Sequence, residues 1–301
     1  MKKLKLTLIV LMFALSVFGC KAEKGREIVD RAGITVRING PINRIVSTAP
    51  SNTEIISDLG QAHRLIAVDV HSANIAGLPA GLPLLDFFYP DAEVLVSLDP
   101  DIIIASGHNP TGTGEDPFSL LREMGIPVVY ISMSQSIEEI YNDIKFVAEL
   151  LQAGKEGENL INSMKAQVSE IAQNAERRAA QIGTKRTVYF EISAAPDMFS
   201  FGKDSFIDDM ISAIGARNIF GDEDWLVMPS AEAIISRNPD VILTSVNYID
   251  DPIGEIKSRP GFNHINAVIN DRVFYIDNDS SSRPSSRIIL ALRQMAEAVY
   301  P

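Results

Sequence analysis

A fifteen-residue stretch of this chain occurs twice. Pro90-Asp91-Ala92-Glu93-Val94-Leu95-Val96-Ser97-Leu98-Asp99-Pro100-Asp101-Ile102-Ile103-Ile104 returns 139 residues further on as Pro229-Ser230-Ala231-Glu232-Ala233-Ile234-Ile235-Ser236-Arg237-Asn238-Pro239-Asp240-Val241-Ile242-Leu243, with seven positions identical. Each copy reads as a turn, a capped helix of two turns, a Pro-Asp corner and a buried strand. A second echo precedes the first in the same order: Ile55-Ile56-Ser57-Asp58-Leu59-Gly60 and Met210-Ile211-Ser212-Ala213-Ile214-Gly215, each an apolar helix end stopped by glycine. Two features repeated in one order indicate duplication. The chain is expected to form two similar lobes with one cleft between them, and Glu93 and Glu232 occupy matching places on the two halves.

The intervening pattern fills in the lobes. Ile34–Ile38 alternates as an edge strand, and short apolar runs follow at 44–47, 65–68, 102–105 and 128–131. Helical stretches ending at glycine separate them, which predicts a parallel sheet covered on both faces. Ser136 caps a helix to Leu151, with Glu138 and Glu139 in its first turn. Beyond Gly154, residues 156–181 form a charged, alanine-rich segment whose apolar stripe is Leu160, Ile161, Met164, Val168, Ile171, Ala172 and Ala175. Such a helix would be about 35–40 Å long, and it reads as a strut joining the lobes. A strand at 187–192, a helix at 204–214, the second repeat, a strand at 273–276 and a helix from Arg287 complete the chain.

The N-terminus carries Lys2, Lys3 and Lys5, then a thirteen-residue run, Leu6 to Phe18, in which all but Thr7 and Ser16 are apolar residues. A membrane span needs about 20 such residues, so the run fits the core of a secretory signal. It ends Val17-Phe18-Gly19-Cys20, and Cys20 is the only cysteine. That segment resembles a bacterial lipobox, in which the cysteine is lipidated. The expected division is a lipoprotein-type signal over 1–19, a tether over 20–33, an α/β lobe over 34–153, a linking helix over 154–183 and a second α/β lobe over 184–301. A formal charge of −12 argues against nucleic acid, because phosphates demand basic counter-charge. Membrane attachment would come from the lipid on Cys20.

In order along the chain, Arg44-Ile45-Val46-Ser47 with Asn52-Thr53-Glu54, both repeated units, Gly202-Lys203-Asp204-Ser205-Phe206, Gly215–Phe220 and Arg283-Pro284-Ser285-Ser286-Arg287 resemble a known family. It comprises the helical-backbone (class III) extracytoplasmic solute-binding proteins of ABC importers for cobalamin, iron-siderophores and haem. The resemblance covers nearly all of the mature chain. It implies two Rossmann-like α/β lobes joined by one long helix, with the ligand in the inter-lobe cleft. The partners it implies are a transmembrane permease with a cytoplasmic ATPase, and the protein would act as an exported monomer. In that family one glutamate at each lobe tip docks onto permease arginines, and Glu93 and Glu232 match those positions. Capping of the helix N-terminus is the competing role for both glutamates, worth about 0.3–1 kcal/mol.

Ligands of open α/β sheets bind beyond the carboxyl ends of the strands. Phe87, Phe88 and Tyr89 lie just before the first repeat, and Trp225, the only tryptophan, just before the second. Their placement suggests two aromatic walls for a flat, bulky ligand, with the core as the competing location for Phe87 and Phe88. Asp279 and Arg283 are the polar candidates, since the resemblance to the cobalamin branch implies ligand contacts at that four-residue spacing. Arg283 paired with Asp279, or at the surface, is the other reading. Tyr248, after the second repeat's strand, and the loop Gly107–Gly114 are further candidates. The loop has the glycine density of a phosphate cradle, but no Lys-Ser/Thr follows Gly112.

The expected function is capture of a metal chelate, a corrinoid or a ferric siderophore or haem, with no resident cofactor. A free-metal receptor is the alternative, although His63, His71, His108 and His264 show no ligand spacing. An exported two-lobed enzyme is a further alternative, but no nucleophile elbow is present and no catalytic residue is assigned.

Overall fold

The structure is a computed structural model and describes residues 25–107 and 117–301. The expected signal, Cys20 as the expected lipidation site, and loop residues 108–114 lie outside the described residues. The described chain opens with an antiparallel hairpin, β1 (Arg26–Val29) and β2 (Thr35–Ile38). Much of the expected tether, 20–33, is therefore folded. Asp30 holds the turn: one carboxylate oxygen accepts the N–H groups of Ala32 and Ile34 at 2.9 and 2.8 Å, and the other accepts that of Tyr130 at 2.9 Å. Arg31 pairs with buried Asp143 at 2.5 Å. The contacts to Tyr130 and Asp143 span long sequence separations, and no local periodicity announces them.

The first lobe follows as β3 (Ile45–Ser47), α1 (Pro50–Asp58), β4 (Leu65–Asp69), β5 (Leu84–Leu85), α2 (Ala92–Ser97), β6 (Ile102–Ser106), α3 (Ser119–Glu123) and β7 (Val128–Ile131). Its sheet is parallel, in the order β5-β4-β3-β6-β7. Helices α4 (Ile137–Leu150) and α5 (Gly154–Ile182) come next. The second lobe contains β8 (Thr187–Glu191), β9 (Ser200–Phe201), α6 (Phe206–Ala213), β10 (Arg217–Asn218), β11 (Leu226–Val227), α7 (Ala231–Arg237), β12 (Val241–Thr244), α8 (Pro252–Ser258), α9 (Asn266–Ile269), β13 (Val273–Tyr275), α10 (Asn278–Ser282) and α11 (Ile288–Val299). Its main sheet is parallel, in the order β10-β8-β12-β13, and β9 and β11 form a small antiparallel pair.

The duplication appears at every level of the backbone. The order β4-β3-β6-β7 in one lobe matches β10-β8-β12-β13 in the other. Helices α1 and α6, which carry the second echo, both stop at a left-handed glycine, Gly60 (φ +73) and Gly215 (φ +74). The corner of the long repeat places Asp99 at φ 48 and Asn238 at φ 44, a region that short polar side chains tolerate better than branched ones. The following aspartates clamp the next strand alike. Asp101 accepts the N–H groups of Asn43 (2.7 Å) and Arg44 (2.9 Å) at the start of β3, and Asp240 accepts those of Thr187 (N–H and hydroxyl, both 3.0 Å) at the start of β8.

The expected strut is present as α5. Its first half packs on α4 of the first lobe and its second half on α11 of the second. Met164, Ile171 and Ala175 of the expected stripe are buried, with Leu160, Ile161 and Val168 packed beside them. At Gly157 the two helices touch: an added Cβ there would lie 2.4 Å from Ala148 Cβ. One hydrophobic core runs without a break from α1 and α4 through α5 to α6 and α11, so the lobes share a packed floor.

Candidate functional site: the cleft between the lobes

The strand order reverses beside β3 in one sheet and beside β8 in the other, and the chain leaving each switch point reaches the cleft. Two adjoining cavities of about 280 and 420 Å³ occupy it, and they share Ser51, Ser106, Asn278, Ser282 and Pro284. Their common walls make them one site. The lining follows a simple rule: Ser51 and Asn52 come after β3, Ser106 ends β6, Ser132 to Ser134 follow β7, and Ser245 and Asn247 follow β12. These hydroxyls and amides were not singled out from the sequence. Their signal was positional, since each lies at or just past the carboxyl end of a strand.

The aromatic candidates separate. Trp225 lines the first cavity together with Phe201 and Phe206, its ring 6.2 Å from that of Phe201. Phe88 is 73% exposed and lines the second cavity. Phe87 is a core residue of the first lobe that also borders that cavity. Tyr89 is 86% exposed and does not line either cavity; it borders a small depression with Pro90, Asp91 and Val94. Tyr248 also stands apart from the lining. Its hydroxyl accepts the Ala194 N–H at 2.9 Å and pairs with the Ser193 hydroxyl at 3.2 Å.

Asp279 and Arg283 border the second cavity, where they form an ion pair of 2.6 Å. Arg283 also donates to Glu54 (3.0 Å), to the His71 carbonyl (3.0 Å) and to Asn74 (3.4 Å). Asn74 in turn donates to Asp279 at 2.5 Å. Glu54, on α1, is 1% exposed and receives Arg283, the Ser285 hydroxyl (2.5 Å) and Arg287 (3.4 Å). These contacts tie the first lobe to the second beneath the cleft. Burial raises the Glu54 pKa above the usual carboxylate value, and the hydrogen bonds from Ser285 and Arg283 oppose that shift. Burial likewise raises Asp69, which borders the same cavity. Sequence reasoning gave Glu54 no role of its own. The available sign was a carboxylate directly before the apolar pair Ile55-Ile56, since a charge on a buried helix face needs a partner.

Glu93 and Glu232 are exposed in the first turns of α2 and α7. The caps are supplied by their neighbours: the Asp91 carboxylate accepts the N–H groups of Glu93 and Val94, and the Ser230 hydroxyl accepts that of Ala233. The Glu232 carboxyl is held below its usual pKa by its own backbone N–H and by Ser230. Each helix runs back against the strand that follows it, so both N-termini lie toward the carboxyl edge of their sheet, the side on which the cleft opens.

Comparison with known proteins agrees with this architecture. The sequence model of the family described as "Periplasmic binding protein" matches residues 45–280. The chain is 30% identical over 272 residues to an uncharacterised ABC transporter substrate-binding lipoprotein, YvrC, of Bacillus subtilis, covering 90% of this chain and 84% of that one. It is 26% identical over 263 residues to a vitamin B12-binding protein of Vibrio campbellii, covering 86% and 90%. Among solved structures, a possible iron-binding periplasmic solute-binding protein of Staphylococcus epidermidis superposes with a TM-score of 0.77 at 32% identity, covering 87% of this chain and 100% of that one. Two duplicated α/β lobes, a long joining helix, a cleft at paired switch points and a family match over most of the chain agree: this protein belongs to the periplasmic binding protein family, in the class III branch related to the cobalamin, iron-siderophore and haem ABC transporters.

Proposed function

We propose that this protein is an exported solute receptor, anchored through a lipid on Cys20, that captures an electrically near-neutral metal chelate between its lobes. It hands that chelate to an ABC permease driven by a cytoplasmic ATPase. The observation that carries the reading is the chemistry of the cleft: hydroxyls, amides and aromatic rings make most of its lining, beside Asp69, His71 and Asp279, and its guanidinium, Arg283, is already paired with carboxylates. A corrinoid, with a flat ring and an amide-bearing rim, suits such walls, and the similarity to a vitamin B12-binding protein supports it. A neutral ferric siderophore is the second reading, favoured by the likeness to a possible iron-binding protein.

Docking is assigned to the repeated units. Tyr89 and Met228 hold the same place in the two copies, just ahead of the shared proline, and are 86% and 66% exposed. Each lobe thus offers a permease one acidic side chain, Glu93 or Glu232, beside one apolar side chain. A permease built from two related halves would meet the same pair on both sides.

Calorimetry of the mature protein with cyanocobalamin, ferrichrome, haemin and bare metal ions tests the cargo. Equimolar binding of cyanocobalamin or ferrichrome is expected, and binding of bare ions with no response to any chelate would overturn the reading. For docking, the double variant Glu93→Ala/Glu232→Ala should bind cargo normally and fail in uptake, and Tyr89→Ser/Met228→Ser should weaken the complex with the permease. Normal uptake by the glutamate variant would remove docking from these residues.

A further inference from the structure

Arg283 is the one lysine or arginine among the described residues that line the cleft, and residues 108–116 contain neither. A free guanidinium in a partly enclosed site would attract anionic chelates, because charge interactions strengthen away from bulk water. Arg283 is not free. Asp279 meets it from the cleft side, with a side chain 28% exposed, so a ligand has access to that carboxylate. Glu54 meets it from below, with a side chain 1% exposed. No cargo reaches Glu54 without parting the lobes, since it also receives Ser285 and Arg287 of the second lobe.

We infer that Glu54 is a specificity-determining residue: it cancels the charge of Arg283 from beneath the cleft floor, so that near-neutral chelates are accepted and anionic ones refused. The inference rests on the reading of the cleft as the cargo site. It assigns to the first lobe a residue that touches no ligand yet sets the charge a ligand meets. Asp279 can exchange its arginine for a ligand group, whereas Glu54 is a fixed counter-charge present whether the cleft is empty or full. The same carboxylate joins the lobes, so selectivity and lobe geometry share one ion-pair cluster.

The test compares affinities for ferric dicitrate, an anionic probe, and for cyanocobalamin or ferrichrome, whichever neutral probe the wild type binds. Glu54→Gln keeps the size and an accepting oxygen while removing the charge. It should shift the affinity ratio toward ferric dicitrate by at least about tenfold, and Glu54→Gln/Arg283→Gln should reverse the shift. Glu54→Asp, which keeps the charge, should retain the wild-type ratio. A purely structural role would lower the melting temperature and both affinities together and leave the ratio unchanged, which would overturn the inference. A measurement on the wild type alone gives a second check. If its ferric dicitrate binding weakens as salt rises, the cleft holds an attracting free cation and the inference fails. Neutral-probe binding with an unchanged ratio in folded Glu54→Gln leaves the cargo reading standing and removes this inference. A wild type that binds no chelate removes both.

Discussion

Asp101 and Asp240 do the same work in the two lobes, each receiving hydrogen bonds at the start of the neighbouring strand. Glu93 and Glu232, equally matched in sequence, project into solvent while Asp91 and Ser230 supply the caps. The repeat therefore holds two kinds of residue that sequence alone does not separate. Asp101→Ala and Asp240→Ala should each cost about 1–3 kcal/mol in urea unfolding, because backbone donors lose their acceptor. Glu93→Ala and Glu232→Ala should leave the urea midpoint at its wild-type value, as exposed substitutions do. Single residues of the cleft were less legible. Trp225 stood out by rarity and position, whereas the serines and asparagines that make most of the polar lining are common residues marked only by following a strand. Tyr89 and Tyr248 resembled cleft residues in sequence, but a side chain's direction at a loop is set by contacts such as the Tyr248–Ala194 hydrogen bond.

At the scale of elements, apolar periodicity and caps carried most of the information. Ser136 accepts the Glu139 N–H at the start of α4, as its spacing predicts, and β3, β4, β6, β7, β8, β12 and β13 of the two parallel sheets fall on the apolar runs. The break between α4 and α5 lies at Leu151 to Ala153, where Gln152 has φ 59, and Gly154 is already the first residue of α5. Elements held by distant polar contacts or by two-residue pairings, such as β1, β5 and the β9–β11 pair, left no pattern to read. The α4–α5 contact depends on Gly157, where a Cβ would meet that of Ala148 at 2.4 Å. Gly157→Ala should destabilise the protein by about 1–3 kcal/mol through overpacking, and adding Ala148→Gly should recover part of that loss. Thermal unfolding of the two variants checks this, and a Gly157→Ala protein as stable as wild type would show that the helices are not in contact there.

For the whole molecule, duplication explains why there is one cleft and why its walls are alike. The shared core under α5 and the ion pairs from Glu54 to Arg283 and Arg287 connect the lobes along a broad floor rather than a hinge strand. Large domain swings would require breaking that core, so cargo entry should involve small changes at the cleft rim. Two lobes and their cleft could be read from the repeat, because a duplicated sequence must fold twice. The charge balance of the cleft could not, because Glu54 and Arg283 meet across 229 residues of chain. Trp225, the single tryptophan, lines the cleft, so its fluorescence reports on occupancy directly. Titration of the mature protein with cyanocobalamin and with ferrichrome should quench Trp225 saturably and at equimolar stoichiometry with at least one of them. Unchanged Trp225 emission with both chelates, in a folded protein that binds bare metal ions instead, would contradict capture of a chelate between the lobes.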